Sequence, residues 1–159
     1  MTFTDHSLES RIATTAHQTP KRVGDSRPCR ILLVDDDPDF VEILSENLRH
    51  EGHDTILHTR SESALAWLHD GSSCDLILLD WYMPELPGIA LLRAVRDAGI
   101  DTPVIVLTGV NKEEIEDTAL GCGAVDFVDK TRRFSVLLKR IGIALENATM
   151  EADGKDDAA

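Results

Sequence analysis

The chain is predicted to fold as an α/β protein: a doubly wound, five-stranded parallel sheet with five helices. Three observations lead there. Short apolar runs alternate with stretches of helical periodicity through the middle of the chain, which is the order of successive βαβ units. The runs are apolar throughout and do not alternate with polar residues, so each strand is buried on both faces, as in a parallel sheet. At 159 residues, with 42% hydrophobic and 28% charged, the chain has material for one sizeable core and short tails.

Taken in order, Arg30 to Val34 (RILLV) is the first strand. Asp37-Pro38 supplies an N-cap acceptor and a proline at the first helical position, and Phe40, Val41, Leu44 and Leu48 repeat at helical spacing up to Gly52. Asp54 to Thr59 is a weaker, edge-like strand, and Ser61 caps a helix that carries Ala64, Leu65 and Leu68 and stops near Gly71. Leu76 to Leu79 is the third strand, and Ile89 to Ala98 the third helix. Val104 to Leu107, entered from Pro103, is the fourth strand; Asn111 with Glu114 has the pattern of a capping box for a fourth helix ending at Gly121. Ala124 to Val128 is a short fifth strand, and Val136, Leu137, Ile141 and Leu145 outline the last helix. Residues 1–28 and 149–159 lack periodicity and are expected to be disordered, which leaves a domain over 29–148.

Composition removes several functions. A formal net charge of −13 repels a phosphate backbone, so no direct contact with nucleic acid is expected. No apolar run approaches the roughly 20 residues that cross a bilayer, and the first thirty residues hold no signal-like stretch, so a cytoplasmic protein without membrane insertion is expected. Cys29, Cys74 and Cys122 are odd in number and form no CxxC pair, which argues for idle thiols and against disulfides or zinc. His50, His53 and His58 straddle a helix end, a turn and a strand, and read as solvated.

In doubly wound sheets ligands bind outside the carboxyl ends of the strands. The first strand ends in Asp35, Asp36 and Asp37, the third in Asp80 and the fourth in Thr108, and Lys130 follows the fifth. Asp37, directly before Pro38, is assigned to the helix cap. The remaining carboxylates would repel one another unless a cation joins them, and Mg²⁺ suits such oxygen ligands while leaving room for a phosphoryl oxygen. Asp80 stands alone on the central strand, where a carboxylate can attack phosphorus.

The segments ILLVDDDP, DLILLDWYMPELPG, PVIVLTG and GAVDFVDK, in this order and at these separations, resemble the receiver domain of two-component response regulators over about residues 29 to 146. The resemblance implies a flavodoxin-like fold and a phosphoacceptor that catalyses its own phosphorylation and dephosphorylation without being an enzyme toward other substrates. It implies that Asp35, Asp36 and Asp80 bind Mg²⁺ together with the backbone carbonyl of Tyr82, and that Asp80 accepts the phosphoryl group. Thr108 and Lys130 are then the hydroxyl and ammonium that meet the phosphoryl oxygens. Phe127 falls at the aromatic switch position, expected to turn inward on phosphorylation. Tyr82 and Val110 occupy positions that tune hydrolysis, and their bulk predicts a long-lived phosphoaspartate. The implied partners are a histidine kinase or phosphotransfer protein as donor and a separate downstream protein as target, with phosphorylation-dependent dimerisation an open option. Only about a dozen residues follow the last helix, so a stand-alone receiver is expected.

One departure stands out: the family usually carries proline after this lysine, whereas here the sequence runs KTRRF, with Thr131 in that place. Two rival readings follow. A pseudo-receiver would bind partners without being phosphorylated. An aspartyl-phosphate hydrolase would carry a second acid two residues after its nucleophile, where this chain has Tyr82.

Overall fold

The structure is a computed structural model that describes residues 28–109 and 113–156. Its elements run β1 (Arg30–Val34), α1 (Pro38–His50), β2 (Asp54–His58), α2 (Ser61–His69), β3 (Leu76–Asp80), α3 (Gly88–Asp97), β4 (Val104–Thr108), α4 (Glu113–Gly121), β5 (Asp126–Asp129) and α5 (Phe134–Asp156). The strands form one parallel sheet in the order β2-β1-β3-β4-β5, with β3 at its centre. The chain thus winds one way from β1 to β2 and the other way through β3, β4 and β5. The switch point falls between β1 and β3, the two strands that end in acids.

Parity explains the two layers. Along β1, Leu32 and Val34 point into one cluster with Ala64, Leu92 and Val95, while Ile31 and Leu33 point into the other with Val41, Leu48 and Ile141. The first cluster is closed by α2, α3 and α4, the second by α1 and α5. All five residues of β3 and of β4 are buried, as uniformly apolar runs require; β2, at the edge, has none fully buried.

Most boundaries agree with the sequence reading, and Asp37 caps α1 through bonds from the Asp39 and Phe40 amides at 3.1 and 3.2 Å. Gly52 stands at φ 89, a left-handed turn that ends α1 at little steric cost. Ser61 is not the cap of α2. Arg60 holds that place without a side-chain bond, while Ser61 opens the helix and donates its hydroxyl to the Leu86 carbonyl at 2.9 Å, tying α2 to the loop after β3. The fifth strand begins at Asp126 and not at Ala124, because the Ala124 amide still closes the end of α4 on the Ala119 carbonyl at 3.0 Å.

The largest correction concerns 149–159, expected to be disordered: α5 continues through this segment to Asp156. The stretch NATMEADGKD contains no proline and several good helix formers, so the helix begun on the core can propagate. The expectation for residues 1–28 falls almost wholly outside the described residues. So does the Asn111 half of the capping box; α4 opens with three acids, Glu113, Glu114 and Glu116, favourable at a helix N-terminus. Among the described residues no helix is long and apolar enough to cross a membrane.

Candidate functional site

Asp35 is the first residue past β1, Asp80 the last of β3, Thr108 the last of β4, and Lys130 the first past β5. Parallel register makes these equivalent heights: Asp80 pairs with Leu107, one residue before Thr108, and Thr108 pairs with Asp129, one residue before Lys130. Asp35, Asp36 and Asp80 each bring a carboxylate oxygen within 4.8 Å of the others. Asp35 and Asp80 are only 3% and 5% exposed, whereas Asp36 faces solvent. The site is a small acidic hollow with one wet wall.

Lys130 provides the counter-charge. Its ammonium lies 2.5 Å from Asp35 Oδ2 and 3.4 Å from Asp80 Oδ2, and it passes over the Phe40 ring at 4.7 Å from the centroid. The remaining lone pairs are partly met by backbone: the Asp37 amide donates to Asp35 Oδ1 at 3.0 Å, and the Tyr82 amide to Asp80 Oδ1 at 3.3 Å. Asp35 Oδ2 is met by the Lys130 ammonium. Burial pushes the Asp80 carboxyl up to about 7; the Asp35 carboxylate adds to the rise, while Lys130 and the Tyr82 amide oppose it. One ammonium does not balance three carboxylates. The donor set is all oxygen, three carboxylates converge, and one carboxyl is held above its ordinary range, so these residues fit a hard divalent cation such as Mg²⁺.

The loop between β3 and α3 is built rather than slack. The Gly88 amide returns to the Trp81 carbonyl at 3.1 Å, and a Cβ at Gly88 would collide with the Asp80 carbonyl oxygen, so only glycine lets α3 start this close to the end of β3. Glu85 holds a left-handed φ of 69 and is paired with Arg60 at 2.8 Å. Tyr82 is half-exposed and lines a cleft with Asp36, Trp81, Met83, Pro84 and Pro87. Trp81 itself is partly buried against the core.

The KTRRF departure also has a local solution. Asp129 Oδ1 accepts from both the Thr131 amide and the Thr131 hydroxyl, each at 2.8 Å, and the Arg132 amide closes the turn on the Asp129 carbonyl at 3.0 Å. The Thr131 amide bond, then its hydroxyl bond, hold the Asp129 carboxyl below its ordinary range. Lys130 sits inside this turn, its own amide bonded to the Thr108 carbonyl at 2.8 Å. Sequence reasoning did not single out Asp129; the D-K-T spacing was the available signal. Nor did it single out Gly88, or Phe40 as the platform for Lys130, whose helical spacing looks like plain core.

The other expected site residues divide. Thr108 is fully buried at the site edge. Phe127 is buried and belongs to the core cluster that includes Ile115, Ala119 and Ala124. Val110 lies outside the described residues. Cys74, well removed on the opposite end of β3, has a thiol pushed up to about 11 by burial, in keeping with an idle group.

Comparison with known proteins gives a consistent picture. The family model described as the response regulator receiver domain matches residues 31–142. The transcriptional regulatory protein CpxR of Escherichia coli (strain K12) is 40% identical over 119 residues, which are 75% of this chain and 50% of that protein. The uncharacterized transcriptional regulatory protein YkoG of Bacillus subtilis is 38% identical over 125 residues, 77% of this chain and 54% of that one. The chain therefore spans about half the length of the curated relatives it matches. Among solved structures, the receiver domain of the Francisella response regulator 1452 superposes with a TM-score of 0.71 at 29% identity, covering 76% of this chain and 98% of that one.

Proposed function

The chain belongs to the response regulator receiver domain family, and from that premise we propose that Asp80 accepts a phosphoryl group from a phosphohistidine donor and that signalling proceeds through altered protein contacts. The observation that carries this is the convergence of Asp80 and Asp35 within 3.4 Å of the Lys130 ammonium, beside the exposed Asp36. An Asp80 oxygen attacks phosphorus in line, forming the O–P bond as the N–P bond to the donor histidine breaks and its nitrogen leaves with the electron pair. Lys130 neutralises oxygens of the transferring group, and the Thr108 hydroxyl stands on the neighbouring strand to bond the product.

Asp35, Asp36, Asp80 and the Tyr82 carbonyl would hold Mg²⁺, whose charge supports ionised Asp80 and the phosphoryl oxygens when bound. The protein's own residues orient the rest: Lys130 is fixed by its turn and by Phe40, and Asp80 by the Tyr82 amide. Transfer is self-directed, so the chain is a phosphoacceptor and not an enzyme acting on a separate substrate. The donor is a histidine kinase or phosphotransfer protein, and the setting is the cytoplasm. Gene regulation, which the relatives' names carry, would be exerted by this domain through protein contact and without direct binding to nucleic acid.

Incubation with acetyl phosphate followed by intact-protein mass spectrometry tests the proposal. A phosphoryl adduct that needs Mg²⁺ and disappears in Asp80→Asn is the expected result. Absence of the adduct both with acetyl phosphate and with a phosphorylated donor protein would favour a pseudo-receiver.

A further inference from the structure

The turn from β2 into α2, residues 58–61, touches both segments that bring oxygens to the site. On one side the Asp35 amide donates to the His58 carbonyl at 3.1 Å. On the other the Ser61 hydroxyl donates to the Leu86 carbonyl at 2.9 Å, with the Met83 sulfur 3.3 Å away. A serine has one proton to give and a thioether accepts weakly, so the bond belongs to Leu86. Leu86 lies in the loop after β3, which also carries Tyr82, whose amide bonds Asp80 Oδ1 at 3.3 Å.

The hydroxyl does nothing for its own helix. Ser61 is 1% exposed and stands at the first helical position, one residue late to cap α2, while Arg60 in the cap place makes no side-chain bond. α2 therefore starts without a side-chain cap, and a serine sits buried against another loop.

The loop it grips is one that needs holding. Glu85, next to Leu86, is the one non-glycine residue with a left-handed φ among the described residues, a conformation that persists where the surroundings enforce it. The base of the loop is closed by the Gly88 amide on the Trp81 carbonyl. Its outer half is held from the α2 side by Ser61 and by the Arg60–Glu85 pair at 2.8 Å. That pair is exposed on both sides and contributes little, whereas water does not compete for the buried Ser61 bond.

We propose that Ser61 is a positioning residue for the cation site. The 58–61 turn acts as a tie-bar that sets the distance between Asp35 and the Tyr82 loop, so that oxygens on the two segments stay close enough to share one Mg²⁺. Ser61 itself touches neither the metal nor the phosphoryl group. The inference rests on the Mg²⁺-dependent phosphoacceptor reading given above and deepens it.

Mg²⁺ titration of the full chain, followed by tryptophan fluorescence, is the test. Ser61→Ala should weaken Mg²⁺ binding about tenfold. Its phosphorylation by acetyl phosphate should be slow at low Mg²⁺ and return to within about twofold of wild type once Mg²⁺ is saturating. Leu68→Ala, buried in the same helix, should lose stability in urea yet keep its Mg²⁺ affinity within about twofold, as should Arg60→Ala. One readout needs no cation: in metal-free Ser61→Ala the Leu86 and Gly88 amides should exchange hydrogen about tenfold faster, while those of β3 do not. A wild-type chain whose fluorescence and phosphorylation ignore Mg²⁺ refutes the reading of the site, and this proposal with it. Wild-type Mg²⁺ binding that Ser61→Ala leaves intact, or that Leu68→Ala or Arg60→Ala weakens as much, overturns the positioning role alone; so does unchanged exchange at Leu86.

Discussion

Replacing Asp80 by asparagine should make the metal-free protein more stable. Asp80 is 5% exposed, sits beside the Asp35 carboxylate, and shares a single ammonium with it. Its carboxyl rises from 3.8 to about 7 on folding. At about 1.4 kcal/mol for each tenfold change in proton affinity, that rise corresponds to roughly 4 kcal/mol against folding once the group is ionised in both states. Asparagine keeps the shape and can still accept from the Tyr82 amide, but it deprives Lys130 of one of two carboxylates. About half of the penalty, ~2 kcal/mol, should therefore be recovered, or roughly 5–10 °C in melting temperature for a domain of this size.

The pH dependence follows from the direction of the shift. Below about pH 4 Asp80 is protonated in both states and costs nothing. Between about pH 4 and 7 the unfolded chain releases its proton while the folded one retains it, and the penalty grows with pH; above about 7 it is complete. Thermal unfolding followed by tryptophan fluorescence should show the variant's advantage opening across that window. Added Mg²⁺ should stabilise the wild type and leave the variant nearly unmoved. An advantage equal at about pH 4 and pH 8, or no advantage at pH 8, would refute the electrostatic account of the site.

Three further outcomes are expected. Gly88→Ala forces a methyl group onto the Asp80 carbonyl and the Trp81 Cα, so it should cost about 1–3 kcal/mol in urea unfolding and weaken Mg²⁺ binding measured by tryptophan fluorescence. Asp129→Ala opens the turn that fixes Lys130 and should slow phosphorylation by acetyl phosphate about tenfold, yet add nothing in a Lys130→Ala background; a further loss there would show that it acts elsewhere. Tyr82→Asn replaces a half-exposed ring beside Asp80 by a group that can orient water, so phosphoaspartate decay, followed by mass spectrometry, should quicken about tenfold, ~1.4 kcal/mol of barrier. An unchanged rate would remove Tyr82 from the account of lifetime.

The sequence by itself determined the order of the elements, the parallel sheet and the edge on which the acids, Thr108 and Lys130 gather. These follow from local rules: apolar runs of strand length bury both faces, caps and glycines end helices, and parallel strands point their carboxyl ends the same way. Tertiary structure alone decided what the site residues touch. That Lys130 lies closer to Asp35 than to Asp80, and rests on Phe40, depends on β5 and α1 meeting across the sheet from nearly a hundred residues apart. That Ser61 braces the loop instead of capping its helix depends on where Leu86 comes to lie, and the burial of Phe127 depends on α4 closing over it. The reach of α5 was hidden for a related reason. Its distal charges look like a solvated tail when read in one dimension, and they acquire an outward face only once Leu137, Ile141 and Ala144 fix which side of the helix the core occupies.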